Sequence, residues 1–157
     1  MVVVNIGPVI KSMLLSVAPT AQKRVRFSRY TGSTYKDKSQ VANEKELDRL
    51  LHAFAPKSPI KAPVSVEVDC LVSIPASTTK RKREAMAGLF ELPVKKPDLD
   101  NYVKQILDGM TRCGYWTDDN LVCEIIAKKY YSEKPGWLVT IRECDFYEEV
   151  DENIQQA

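Results

Sequence analysis

The stretch KPDLDNYVKQILDGM, at residues 96–110, defines a helix and places acidic side chains at its start. Pro97 is disfavoured inside a helix, so the helix is expected to begin just after it. Apolar side chains then recur at helical spacing, at Leu99, Tyr102, Val103, Ile106, Leu107 and Met110. The pattern predicts a helix that begins near residues 98–100 and ends near Arg112, with the carboxylates of Asp98 and Asp100 at its amino-terminal mouth.

Acidic residues at a helix start also have an ordinary explanation. Asp is a preferred N-cap residue, and its negative charge offsets the positive end of the helix dipole. A second acidic pair, Asp118 and Asp119, precedes residues 121–131, whose apolar and β-branched content predicts a strand. That pair could equally form a turn that accepts its own backbone amides. Two acidic clusters at the ends of regular elements can converge, and clustered carboxylates of this kind hold magnesium against a phosphodiester.

The remaining sequence predicts further strands and helices. Residues 64–74 alternate apolar and polar side chains, which predicts a half-buried principal strand of the sheet. Further strands are predicted at residues 13–17 and 137–142, and a helix at residues 37–54. Another helix is predicted to begin after Ser77, Thr78 or Thr79 and to end at Gly88. A Pro-Gly pair within residues 132–136 predicts a hairpin turn between the last two strands. We therefore expect an α+β fold in which helices pack on a small mixed β-sheet.

Length and composition fit one small domain. A chain of 157 residues with 44% hydrophobic content can bury a substantial core. Residues 1–6 are apolar but lack the basic start and cleavage site of a secretory signal, and they are too few to span a membrane. We expect a cytoplasmic protein with no membrane partner and no small-molecule substrate.

Charge is distributed unevenly along the chain. Residues 143–157 hold six Asp or Glu side chains and no Lys or Arg, so the formal net charge of +2 becomes about +8 on residues 1–142. A basic body attracts a polyanion, and phosphate contacts make such binding salt-dependent. We expect residues 1–142 to form the domain and residues 143–157 to form a flexible acidic tail. The alternative is a tail that competes with the polyanion for the basic surface.

The sequence resembles the RusA-type Holliday-junction resolvases, a family of small homodimeric DNA endonucleases often carried by phages and prophages. The likeness runs from about residue 18 to residue 142. It rests on the basic segment KRVRF, on KPDLDN with the downstream Lys104 and Asp108, on Asp118 and Asp119, and on Lys128-Lys129-Tyr130. The KPDLDN run at residues 96–101 is its most specific part.

The resemblance implies a role for individual residues. Asp98, Asp100 and Asp119 would be the metal-binding carboxylates, with Lys104 a catalytic cation near them and Asp118 a supporting neighbour. Hard oxygen ligands match Mg²⁺, for which Mn²⁺ is expected to substitute. Considered without the resemblance, Lys104 could form an ordinary surface ion pair on its helix.

Basic residues supply the expected contacts to DNA. These are Lys23, Arg24, Arg26, Arg29, Lys80, Arg81, Lys82, Arg83, Lys128 and Lys129. An ordinary solvated helix face explains residues 80–83 equally well. The chain departs from the family pattern at Val25, where a proline is usual, and at Leu121, where a glutamine commonly follows the acidic pair. Neither departure removes a carboxylate.

The phosphate chemistry points to a reaction. A DNA phosphodiester resists attack until its charge is neutralised and a nucleophile is brought into line, and bound magnesium can do both. We therefore expect a metal-dependent endodeoxyribonuclease that resolves four-way junctions by paired phosphodiester hydrolysis. The two related cuts suit a twofold-symmetric homodimer.

Two other functions stay open at this point. One is a branched-DNA-binding protein that does not cut, and the other is a metal-dependent nuclease for another branched DNA or a structured RNA. A bacterial, phage or prophage origin is expected from the resemblance.

Overall fold

The computed structural model describes residues 2–22 and 26–148, with the backbone alone at residues 2–6 and 146–148. The elements in chain order are β1 (Val2–Leu15), β2 (Arg26–Phe27), β3 (Thr34–Tyr35), α1 (Lys38–Phe54), β4 (Val64–Ser73), α2 (Lys80–Ala87), α3 (Leu99–Arg112), a 3₁₀ turn (Asp119–Leu121), β5 (Val122–Ser132) and β6 (Gly136–Glu148). The predicted α+β class is confirmed, and the predicted helices agree closely with α1, α2 and α3. No helix in the described ranges is long and apolar enough to cross a membrane.

The main sheet has four strands in the order β1-β6-β4-β5. Strand β4 is antiparallel to β6 and parallel to β5, so the sheet is mixed as predicted. Strands β4 and β5 are parallel, and such a pair requires a crossover connection, which α2 and α3 supply here. The chain leaves α3 at Arg112 and enters β5 at Val122. Asp118 and Asp119 lie in the short segment between the two elements.

The predicted hairpin between the last two strands is wrong. Strand β4 lies between β5 and β6, and residues 133–135 instead cross over its end. The reason is the apolar face of β4, where Val64, Val66, Val68 and Cys70 are fully buried. A strand with such a face is best accommodated at the centre of a sheet, paired on both edges.

The two terminal strands are longer than predicted. Strand β1 covers Val2–Leu15, and β6 continues to Glu148, six residues past the predicted domain boundary at residue 142. Residues 144–148 pair with the first residues of β1, from Val2↔Glu148 to Ile6↔Cys144, and Glu143 pairs with Val64 of β4. Residues 149–157, the rest of the predicted acidic tail, lie outside the described residues.

Helices α1 and α3 cover one face of the sheet. The side chains of Leu47 and Leu51 from α1 and of Tyr102, Ile106 and Met110 from α3 are buried in the same core as β4. Helix α3 is strongly amphipathic in consequence, with its charged residues outside the buried face. The burial of one face of α3 fixes which residues the opposite face presents.

Truncation of the buried face should unfold the protein readily. Ile106 is completely buried between α3 and the sheet, so Ile106→Ala removes apolar contacts and leaves a cavity. We expect the free energy of unfolding to fall by about 2–5 kcal/mol, measured by urea denaturation. The control is Leu14→Ala on β1, whose side chain is exposed and should change stability by less than about 0.5 kcal/mol. Equal losses in the two variants would contradict this description of the core.

Candidate active site

A groove between α3 and β5 contains three charged residues of α3. Asp100, Lys104 and Asp108 lie at successive i, i+4 positions and line one side of the groove. Asp119, from the turn before β5, lines the groove with them. The cavity has a volume of about 710 Å³. Two of the three carboxylates predicted as metal ligands, together with the predicted catalytic lysine, therefore share one surface depression.

The walls of the groove are largely apolar. They are formed by Leu99, Val103, Leu107, Thr111, Trp116, Val122, Ile125 and Ala127. The side chains of Asp100, Lys104 and Asp119 are exposed to solvent beside these walls. Sequence reasoning did not identify these residues as walls of a groove, although the i, i+4 and i+8 spacing of Val103, Leu107 and Thr111 could have indicated that they share a face.

The position of Asp119 is fixed by contacts of the residues that precede it in the chain. The backbone around Trp116 is held by Ile60, which donates to Tyr115 O at 2.9 Å and accepts from Thr117 N at 3.1 Å. The indole Nε1 of Trp116 donates to Thr111 Oγ1 at 2.9 Å, tying this segment to the end of α3. The acidic pair therefore starts from a fixed point beside the helix.

The members of the acidic pair do different things. Asp118 caps the 3₁₀ turn, since its Oδ1 accepts from the backbone amide of Asn120 at 2.9 Å. The turn interpretation is thus correct for Asp118, while Asp119 lines the groove. Leu121, the residue that departs from the family pattern, packs against the hydrophobic core. Its apolar side chain is accommodated by the fold and adds no polar group to the site.

Asp98 lies apart from the groove. It lines a neighbouring cavity with Ala21, Gln22 and Asn101. Residues two apart near a helix start project to different sides, and Asp98 and Asp100 have this spacing. Asp98 is the N-cap residue of α3 by its extended backbone, yet its side chain makes no capping hydrogen bond. The ordinary capping explanation therefore does not account for the Asp98 carboxylate.

The groove fits a magnesium ion in part. Within the described ranges, no three His, Cys, Asp or Glu side chains are grouped closely enough to hold one ion. Asp100 and Asp119 nevertheless share the groove, and Mg²⁺ in phosphoryl-transfer sites is bound by one or two carboxylates together with waters and substrate phosphates. The donor set suits a hard cation that is completed by the substrate. The three-ligand set that includes Asp98 stays a prediction.

Lys104 has an acidic neighbour on its own helix. Its Nζ lies 3.9 Å from Asp108 Oδ2, which also accepts from Gln22 Nε2 at 3.0 Å. The lysine side chain is 62% exposed, so the ion pair is weak and leaves the ammonium group available to a ligand in the groove. Gln22 thereby links the segment before β2 to the site, a connection that the sequence did not reveal.

Comparison with known proteins identifies the family. The model of the family described as Endodeoxyribonuclease RusA matches residues 16–142. The chain belongs to the RusA family. RusA proteins are endodeoxyribonucleases, hydrolases that act on branched DNA junctions. A Bacillus subtilis (strain 168) protein, known as the uncharacterized protein YqaN, is 35% identical to this chain over 130 residues, which are 80% of this chain and 90% of that protein.

The predicted DNA-binding residues of this RusA protein lie in several places. Arg26 and Arg29 are exposed on and beside β2, and Lys80 and Arg81 are exposed on α2. The other two basic residues of α2 have acidic partners, Lys82 with Glu91 at 3.5 Å and Arg83 with Glu133 at 3.0 Å. Lys23 and Arg24, together with Val25, lie outside the described residues.

Lys128 and Lys129 point to opposite faces of β5, as successive strand residues do. Lys128 pairs with Glu67 at 3.2 Å and Asp69 at 3.7 Å, and the hydrogen bond to Glu67 raises its pKa. Lys129 Nζ donates to the backbone oxygens of Lys95 at 3.3 Å and Pro97 at 3.0 Å. Contact of either lysine with DNA stays a prediction, and the structure gives each an intramolecular partner.

Removal of the Lys129 ammonium group tests whether Lys129 only stabilises the loop before α3 or also contacts DNA. Lys129→Met should lower the free energy of unfolding by about 1–2 kcal/mol, because two backbone oxygens lose a charged donor. If Lys129 contacts a DNA phosphate as predicted, the salt slope of DNA binding should also fall by about 1, measured by fluorescence anisotropy at several salt concentrations. An unchanged salt slope would show that Lys129 serves only the fold.

Proposed function

We propose that the protein is a metal-dependent Holliday-junction endonuclease, which resolves four-way DNA junctions by paired phosphodiester hydrolysis in the groove between α3 and β5. One observation carries the proposal: Asp100, Lys104 and Asp119 line the same groove in a chain of the RusA family. Carboxylates that can hold a metal ion, beside an available ammonium group, can together catalyse hydrolysis of a phosphate diester.

Each side chain in the groove has a chemical task in this proposal. Asp100 and Asp119 would hold Mg²⁺, or Mn²⁺ in its place, at a position where the DNA phosphate can complete its coordination. The ion would supply Lewis-acid stabilisation of the phosphate and lower the pKa of a water nucleophile. Lys104 would donate to the phosphate oxygens and stabilise the charge that develops as the bond breaks.

Asp98 is proposed as a further ligand that depends on the DNA complex. The loop before α3 is tied to β5 through Lys129, and Asp98 lines the cavity on the other side of the first turn. A shift of that loop would be needed to bring Asp98 to the ion. Asp118 supports the site indirectly, because its cap shapes the turn that carries Asp119.

Homodimer formation is part of the proposal. A four-way junction offers two symmetry-related strands, and one active site in each of two subunits matches them under a twofold axis. Branched geometry would be recognised through the spacing of the two sites and through contacts to the DNA backbone, with no base-reading motif required.

The central test is loss of one groove carboxylate. Asp100→Asn keeps the side-chain shape but removes a metal-binding charge from the groove. We expect junction binding to survive and cleavage to fall by at least about 100-fold, measured with labelled four-way junction in magnesium. In the unmodified protein, cleavage should be symmetric, require metal and disappear with chelator.

The matched control is Asp145→Asn, which makes the same change at an exposed residue of β6 that does not line the groove. It should cut at the unmodified rate. Linear duplex and structured RNA, incubated with the unmodified protein, distinguish a junction endonuclease from the two other candidate functions. Normal cleavage by Asp100→Asn would show that the groove is not the catalytic site.

Loss of the Lys104 ammonium group is a second test, because it would remove the positive charge that is proposed to stabilise the phosphate. Lys104→Met should lower the single-turnover cleavage rate by about 100-fold or more while affinity for the junction changes little. Lys104→Arg, which keeps the charge, should recover part of the rate. The control Lys57→Met alters an exposed lysine in the connection between α1 and β4 and should leave the rate unchanged. If Lys104→Met cuts normally, Lys104 is only a surface ion-pair partner.

A further inference from the structure

The hairpin formed by β2 and β3 displays aromatic rings to solvent. Phe27 is 63% exposed, Tyr35 is 50% exposed, and Tyr30 in the connecting turn is fully exposed. Aromatic side chains bury a large apolar area when they find a partner, so a group of exposed rings on one short element is unusual and marks a contact surface.

The hairpin is a defined structure. Its strands pair through Arg26↔Tyr35 and Phe27↔Thr34, and the turn is closed by hydrogen bonds from Ser28 N to Ser33 O at 2.9 Å and from Gly32 N to Ser28 O at 3.0 Å. Gly32 adopts a positive φ of 64°, which suits a residue without a Cβ atom. The rings are therefore presented by a folded turn, which lowers the entropy lost when a ligand binds.

The charge of the hairpin selects a polyanion as its ligand. Residues 26–36 include Arg26, Arg29 and Lys36 and contain no acidic residue. Both arginines are exposed beside the exposed rings. Guanidinium groups bind phosphates, and aromatic rings stack on nucleic-acid bases, so the alternation of the two matches a strand whose bases are unstacked. A protein partner would meet two exposed guanidinium groups and no carboxylate on this hairpin.

The hairpin also starts beside the candidate active site. Gln22 donates from its backbone to Asn101 O at 3.2 Å and from its side chain to Asp108 Oδ2 at 3.0 Å, which attaches this segment to α3. Asp108 lines the groove that holds Asp100 and Asp119. Arg26 is four positions after Gln22 in the sequence, and a span of that length reaches at most about 14 Å. A strand cut in the groove would therefore pass within reach of the hairpin.

We propose that the β2–β3 hairpin is a stacking platform for bases that are unpaired or unstacked at the DNA branch point. Phe27 and Tyr30 stack on the bases, and Arg26 and Arg29 hold the adjoining phosphates. The inference deepens the proposed function and rests on it, because it assigns to named rings the preference for branched over linear DNA. Duplex DNA, whose bases are already stacked, gives the rings nothing to bind.

The test compares the aromatic and the basic residues of the hairpin. Full-length protein with the double change Phe27→Leu and Tyr30→Leu is titrated, in chelator, against a four-way junction with unpaired thymines at its branch point and against linear duplex. Junction affinity should fall by about 10- to 100-fold and duplex affinity by less than about 2-fold, with an unchanged salt slope. The double change Arg26→Gln and Arg29→Gln should weaken binding to both DNAs and reduce the slope by about 2.

Controls separate stacking from other effects. Tyr30→Phe keeps the ring and should bind as the unmodified protein does. Because Tyr30 is fully exposed, its replacement should leave the unfolding transition in place. Fluorescence of 2-aminopurine at the branch point gives a direct signal, since stacking on the hairpin quenches it and loss of the rings restores it.

Each remaining result has a definite meaning. If the unmodified protein binds the junction no more tightly than duplex, the proposed junction specificity fails and the hairpin assignment fails with it. If the unmodified protein prefers the junction and the aromatic variant keeps that preference, only the hairpin assignment is wrong. A change of oligomeric state in the aromatic variant, measured by sedimentation, would show that the rings contact a second copy of the chain and would also overturn the assignment.

Discussion

The burial of one face of α3 against the sheet is the constraint on which the site depends. Tyr102, Ile106 and Met110 enter the core that β4 organises, so the helix cannot rotate without exposing them. Burial of a large apolar side chain contributes about 1.5–3 kcal/mol, whereas each exposed charge on the far side contributes little to stability. Packing of the apolar face thus fixes the rotation of α3 about its axis, and this rotation determines where the charged side chains of the helix point. Asp100, Lys104 and Asp108 are directed into the groove as a result.

The sheet topology supplies the other half of the groove. Because β4 and β5 are parallel, the chain must cross from one end of the sheet to the other between them, and it does so through α2 and α3. The return into β5 passes Trp116, which is fixed to Thr111 of α3, and then reaches the turn that carries Asp119. Residues separated in sequence are therefore brought to one depression by a connection that the parallel pairing requires. Family membership and the lining of the groove independently support the proposed phosphodiester hydrolysis, the first through ancestry and the second through geometry.

Prediction from sequence succeeded where a local pattern had one physical cause. The apolar repeat from Leu99 to Met110 and the alternation around β4 each reflect burial of one face, and both elements appear where predicted. Prediction failed at the turn after β5, because the Pro-Gly signal describes a local bend and says nothing about which strand lies beside the next one. Prediction also underestimated the length of β6, because its last residues pair with β1 at the opposite end of the sequence.

For this protein the sequence alone determined the helices, the strand pattern, the acidic and basic residue types and the resemblance to a family, since these depend on neighbours along the chain. Tertiary structure alone decided which carboxylates share a surface. It placed Asp119 with Asp100 and Lys104, directed Asp98 to a neighbouring cavity, and used Asp118 as a cap and Lys129 as a tie to the loop before α3. The reason is that residue spacing shows which side chains share a face, whereas the surface that this face meets depends on the packing of its element against distant parts of the chain.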